Sequence, residues 1–525
     1  MKEKINKIVK YVKKEAFNIS LILISLIFMI LNFYDILYKF EEQKLIGNKY
    51  LIVYIICSVI IFFIIFVLIK NLKKLIKLGI PVLFVVLSII CGLPYVFLSP
   101  MFTGSDEHNH YYRIYEISEL TMVTPTDKYV GSKLPKSLEE SFNVAGGSNT
   151  SISYKDILDM SKIKLNKEEK VQYGKEWGNS YNNTALYSPA TYLPHVIGFT
   201  IGNFFEFSPL IIGMLGRLTN FITFVILGYL SLKLIPKAKL FYLIVLISPN
   251  MLQLATTLSA DAFTNVLVLL FIALLFKIYY QKETMNTKNK IILALISVFI
   301  ALCKIVYIPI VCLLYFIPKK CYKSMKEKQI YSGIIILICI VVGLWWTKQT
   351  SAVFEIEYTN NPEQMDFVLN NIFEYFIIFV RTFSIYFFEF VESLFVGIRM
   401  YHSQLIMPTF ISISYITIVI LAFLKQSNKN KNSSQVMIVT WIVSLLTIAL
   451  IGSAIYVQAT AQYLSVKNPT IEGIQGRYFL PIVLLLPFLL QIKIKRVIMK
   501  EERLISIALV INLITYFYIM TQFII

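Results

Sequence analysis

Charge is what this chain has least of. Asp, Glu, Lys and Arg make up 15% of its 525 residues, where a soluble domain carries roughly a quarter. That shortage excludes an ordinary soluble fold. Cysteine is also sparse. Cys57, Cys91, Cys303, Cys312, Cys321 and Cys339 lie in apolar runs or beside lysine clusters, so no disulfide framework is implied. No internal repeat stands out, which weighs against an inverted-repeat transporter. The lysine-rich residues 1–17 precede a long apolar run with no small-residue cleavage site, unlike a cleaved signal peptide.

What the chain has in place of charge is apolar surface. Hydrophobic residues make up 57%, and mean hydropathy is +0.68. Repeated runs long enough for about 30 Å of hydrocarbon predict an all-α polytopic membrane protein. The expected spans, thirteen in all, are 18–38, 49–69, 80–99, 210–232, 239–256, 261–280, 288–303, 305–318, 330–347, 404–424, 434–458, 476–492 and 503–523. Residues 1–79 form a two-span addition, 80–347 a core with a large loop 100–209, and 348–525 a further loop with four spans.

Lysine placement sets the expected orientation. With the N-terminus and the loops 70–77, 233–239, 277–290, 319–328, 425–431 and 493–503 in the cytoplasm, those segments hold 30 of the 50 Lys+Arg. They hold 6 of the 31 Asp+Glu. The net charge of +19 is therefore a topology signal in a cytoplasmic membrane, and nucleic acid is a poor partner for it. If residues 187–205 crossed the bilayer, every later lysine cluster would lie outside. They are expected to form a re-entrant or surface-lying helix. The polar stretch 126–183 has too few apolar residues for a core of its own and is expected to lie over the membrane surface.

The chemistry-bearing residues gather at the outer face. Asp106-Glu107-His108-Asn109-His110 follows directly on an apolar segment, where half-desolvated acids usually serve a substrate, ion or partner. A helix over 106–120 would put Asp106, His110 and Arg113 on one stripe, suited to proton abstraction beside an anion. The plain alternative is a helix start capped by Asp106. Two acids and two histidines could also ligate a divalent cation, although the spacing is not that of zinc hydrolases. Asp261 is either a second carboxylate on the same cavity or a helix cap with Ser259. Lys304 is one of few cations at the outer membrane level. Arg217, inside an apolar run, needs an anionic partner: Glu206, a lipid headgroup or a phosphate. Gly476 permits a tight turn on which Arg477 could grip phosphate bidentately, with Tyr478 beside it. Arg381, Arg399 and His402 decorate the second outer segment.

In combination, several stretches resemble the bacterial multipass family catalogued as domain of unknown function 2142. They are Asp106-Glu107-x-x-His110 with Arg113, Tyr187-Ser188-Pro189 with Tyr192, Gly216-Arg217-Leu218, Leu258 to Ala262, and Gln475 to Pro481. More distantly, their order is similar to the GT-C superfold of polyprenyl-phosphate-sugar glycosyltransferases. The resemblance implies a GT-C-like fold with juxtamembrane helices in the first large loop. It implies sugar transfer from a polyprenyl-phosphate donor to an envelope glycan or lipid-linked acceptor. Asp106 would then be the base with Glu107 its neighbour, and His110, Arg113, Tyr187, Tyr192, Arg217, Asp261, Lys304, Gln475, Arg477 and Tyr478 would bind substrate. A transporter of a lipid-linked saccharide, or a non-catalytic component of polysaccharide assembly, are the rival readings.

Overall fold

The computed structural model describes residues 2–42, 49–145, 154–175, 177–396, 409–427, 433–490 and 499–523. Arg399 and His402 lie outside the described residues. Among the described residues the regular structure is helical, apart from a two-stranded antiparallel ladder that pairs Lys133–Pro135 (β1) with Lys170–Gln172 (β2).

The helices that frame the molecule are α1 (Lys2–Glu42), α2 (Lys49–Ile76), α3 (Ile80–Leu98), α4 (Glu107–Ser118), α5 (Leu193–Phe204), α6 (Pro209–Leu234), α7 (Lys239–Leu246) and α8 (Pro249–Ala255). There follow α9 (Ala260–Gln281), α10 (Thr287–Cys303), α11 (Met325–Gln349), α12 (Ile372–Phe395), α13 (Thr409–Ser427), α14 (Ser434–Ile455) and α15 (Glu501–Phe523). Among the described residues nine helices are long and apolar enough to cross a membrane: α1, α2, α3, α6, α9, α11, α13, α14 and α15. The protein is therefore a multipass all-α membrane protein.

Three of the stretches expected to span take other forms. Residues 239–256 split into α7 and α8 at Ser248-Pro249. Residues 305–318 alternate 3₁₀ and α turns around Pro309. The described part of 476–492 breaks likewise at Pro481 and Pro487. The stretch 288–303, by contrast, is the unbroken 17-residue α10. Proline removes an amide and crowds the preceding turn, so the three proline-containing runs fragment. Such irregular backbone is tolerated at membrane depth where protein covers it. Every residue of α7 after Lys239, and every residue of α8, is buried.

Residues 187–205 form a 3₁₀ turn and the 12-residue α5, about 18 Å long and well short of the bilayer. α5 folds back against α6. A Cβ at Gly198 would run into the Leu215 backbone, so glycine is what allows the two helices so close.

The loop 100–209 corrects one expectation. Residues 126–183 do share in a core, and it is built from aromatics. Phe142, Tyr173 and Tyr181 pack on Phe102, Tyr111 and Tyr112, with Tyr112 and Tyr173 edge to face at 4.9 Å between centroids. Tyrosine supplies apolar area while its hydroxyl reaches a polar partner. Tyr173 donates to the Pro135 carbonyl at 3.0 Å. One end of the bundle thus carries this folded loop. The lysine-rich turns occupy the opposite end.

Candidate functional site

Where α3 ends, the acidic cluster begins, and its members diverge. Glu107 is completely buried. Arg217 of α6 grips it through two bonds, Nε to Oε1 at 2.7 Å and Nη2 to Oε2 at 2.6 Å. The Gly104 and Leu258 amides donate to the same carboxylate at 3.1 and 2.9 Å. Arg217 spends its remaining donors on the Ser99 and Pro100 carbonyls. This closed node ties together the end of α3, the start of α4, α6 and the turn before α9.

Arg113 is likewise buried and paired, although its Nε has no hydrogen-bond partner among the described residues. It pairs with Glu116 at 2.5 Å, both fully buried, and donates to the Met122 carbonyl at 2.6 Å. Glu116 also accepts from Thr124 and Tyr181 at 2.7 and 3.1 Å. His108 stacks on Phe142 at 4.5 Å. His110 meets the Tyr192 hydroxyl at 2.6 Å through Nδ1. Burial pushes the His110 imidazole down to about 3, so it is neutral. The five-residue cluster therefore does not converge as one set of metal ligands. Among the described residues no group of three or more His, Cys, Asp or Glu is arranged to hold a metal ion.

Asp106 goes the other way. Its backbone is left-handed at φ 55°, and its side chain makes no cap bond to α4, which removes the simple capping reading. A left-handed non-glycine residue is uncommon and often marks a functional site. With 37% of its side chain open, Asp106 faces a cavity of about 490 Å³. Burial pushes its carboxyl above the usual range; Arg477 opposes that shift and Asp261 adds to it.

Two cations and a second acid form one charged network beside it. Arg477 Nη2 lies 4.0 Å from Asp106 Oδ2, and its Nε lies 3.0 Å from Asp261 Oδ2. Lys304 forms an ion pair with Asp261. Lys304 Nζ also sits 4.8 Å from the Tyr478 ring and 5.8 Å from the Tyr187 ring, within the range of cation–π attraction. Local sequence explains each placement. Ser259 caps α9, accepting from the Asp261 amide at 3.2 Å, which leaves the Asp261 carboxylate for the cations. Gly476 brings its turn against α12. A Cβ there would strike the Phe390 carbonyl, and its amide donates to Ser393 Oγ at 3.0 Å. That contact aims Arg477 inward.

The cavity is two-sided. Asp106, Lys304, Tyr187, Gln475 and Tyr478 line its polar end. Ile305, Gly343, Ile451 and Ala454, from the 3₁₀ turn after α10 and from α11 and α14, line the apolar side. Arg217 and Glu107 take no part, and neither do Arg113, Tyr192 and His110; Asp261 and Arg477 also lie off its wall, Asp261 paired to Lys304 and Arg477 on a smaller neighbouring pocket that shares Gln475. Sequence reasoning missed Asn183, Trp346, Tyr358 and Tyr463 on the walls. Trp346 donates Nε1 to the Leu186 carbonyl at 2.8 Å. Asn183 accepts from Asn109 at 2.8 Å. Single aromatics and amides, whether in loops or, like Trp346, at the end of a helix, carry no spacing signal that would have marked them. Arg381 lies exposed on α12.

Residues 89–486 match the family model described as a predicted membrane protein (DUF2142), and the chain belongs to that family. No curated protein and no solved structure matches it.

Proposed function

We propose that this membrane protein is a glycosyltransferase of the GT-C type, moving a sugar from a polyprenyl-phosphate donor to an envelope glycan or lipid-linked acceptor on the outer face. The observation that carries the reading is the charged network of Asp106, Asp261, Lys304 and Arg477, from which Asp106 and Lys304 open onto a cavity that is otherwise largely apolar. A lipid-linked sugar phosphate has that same division, a charged head and a hydrocarbon chain.

Asp106 is the base. Its open carboxylate takes the proton of the acceptor hydroxyl, whose oxygen bonds to the anomeric carbon of the sugar. The bond from that carbon to the phosphate oxygen breaks, and its electron pair leaves with the polyprenyl phosphate. Arg477 and Lys304 sit where cations would hold that phosphate as its charge grows. Asp261 keeps both cations in place. Glu107, Arg217 and Arg113 have no free donor or acceptor facing the cavity, so their part is to hold the frame.

The test is glycan analysis of the envelope in a deletion strain, complemented with wild type or with Asp106→Asn. Loss of a glycan that wild type restores and Asp106→Asn does not is the expected result. An unchanged glycan with the variant protein normally inserted would favour a non-catalytic role in polysaccharide assembly.

A further inference from the structure

A second charged pocket lies at the other end of the bundle, formed by parts of the chain that fall outside the family match. α1, α2 and α15 pack on one another. Where their lysine-rich ends meet, they enclose a cavity of about 120 Å³, several water volumes. Lys70 and Lys73 of α2 line it, with Lys500 just before α15 and Arg503 on it. Glu15 and Glu502 also line it, so cations exceed acids by two.

The acids are partly committed. Glu502 is 3.8 Å from Lys73, with both side chains well exposed, a weak pair. Glu15 accepts from Asn18 at 2.8 Å. Arg503 lies over the Phe17 ring at 4.8 Å and has no carboxylate partner among the described residues. Its guanidinium is thus held flat and oriented, with donors left for an anion. Phe17, Ile69 and Leu72 complete the wall.

Surroundings narrow the ligand. Within about two turns of the pocket, α1 exposes Leu23 and Ile24, and α2 exposes Ile64 and Val67. An anion bound here would sit at the end of an apolar, lipid-facing groove. We infer that this pocket holds the phosphate headgroup of an acidic phospholipid, with its acyl chains along α1 and α2. Basic pockets between membrane helices on the lysine-rich side suit such headgroups. The lipid would pin the two chain ends to each other.

The test uses the full-length protein in detergent. Thermal unfolding is followed with phosphatidylglycerol, with phosphatidylcholine and with inorganic phosphate. Phosphatidylglycerol should raise Tm by about 3 °C or more at saturating excess, and phosphatidylcholine should not. The double variant Lys70→Gln/Arg503→Gln should lose that rise. Lys288→Gln, an exposed charge loss elsewhere on the chain, should keep it. If the double variant does not fold, Lys500→Gln carries the test and must shrink the rise relative to Lys288→Gln. An equal rise with phosphatidylcholine, or an equal loss in Lys288→Gln, overturns the site. A rise reproduced by phosphate alone overturns the lipid source and leaves a soluble anion.

Discussion

Asp106 and Glu107 are neighbours in the chain and opposites in the fold. Glu107 is sealed: two arginine bonds and two amides occupy its oxygens, and no part of it meets solvent. Asp106 turns through a left-handed backbone into an open cavity, with an arginine 4.0 Å away. Charge alone does not separate a tool from a frame, because each acid has an arginine beside it. What separates them is whether the hydrogen-bonding positions are used up. The same contrast runs through the cations. Arg217 is spent on carbonyls and a carboxylate, whereas Lys304 and Arg477 border cavities.

The sharpest way to break this comparison is to change each acid to its amide. Asp106→Asn keeps size and loses the proton acceptor. Turnover should fall by about two to four orders of magnitude, with unfolding temperature and membrane insertion near wild type. Glu107→Gln should behave in reverse. It leaves Arg217 as a buried cation without its counter-charge, a loss of about 3–5 kcal/mol in stability. A lowered Tm in detergent and a poor yield of folded protein would report it. Adding Arg217→Met should recover much of that loss, since an apolar pair can replace a buried ion pair. Were Glu107→Gln to fold like wild type and lose only turnover, the division drawn between the two acids would be wrong.

A smaller effect separates the arginines. Arg477→Lys keeps the charge but loses the fork that reaches towards both Asp106 and Asp261. Transfer should drop about tenfold, a change of about 1.4 kcal/mol, with KM for the lipid donor rising. Arg217→Lys should instead lower the amount of folded protein and leave the rate per folded molecule close to wild type. Equal effects on rate from both would mean that Arg217 also reaches the substrate.

The sequence made the membrane class and the family plain, because long apolar runs have few other uses. It also flagged Asp106, Asp261, Lys304 and Arg477, because ionised groups at helix ends are costly and stand out. It failed where partners decide. Nothing local in Gly216-Arg217-Leu218 says that the guanidinium meets Glu107, 110 positions earlier. Nor does hydropathy separate a lipid-crossing helix from a buried, proline-broken one, since both read as apolar runs; residues 239–256 and 305–318 were indistinguishable from spans on that basis. The aromatic core of the large loop was missed for a related reason. Tyrosine counts as half polar in a sequence, yet Tyr111, Tyr112 and Tyr173 are fully buried.

The least dramatic prediction concerns pH, and it tests the comparison from the electrostatic side. The Asp106 carboxyl is raised above its usual range, first by burial, with Arg477 lowering it and Asp261 raising it. A base acts when ionised, so activity should be present above this raised pKa and fade as pH falls through it. The acid limb of the rate profile should therefore lie above the ordinary Asp value of about 3.9. Arg477→Gln removes the opposing cation and should move the limb to higher pH. Asp261→Asn removes a like charge and should move it lower. His110, already neutral above about 3, adds no limb of its own. Stability runs the other way. The folded protein binds the Asp106 proton more tightly than the unfolded chain, so this group's contribution is complete below the unfolded pKa and is lost as pH rises through the folded one. Rate and stability measured on one preparation should thus cross in opposite directions over the same pH window. A limb that stays in place in both Arg477→Gln and Asp261→Asn would assign the titrating base to some group other than Asp106.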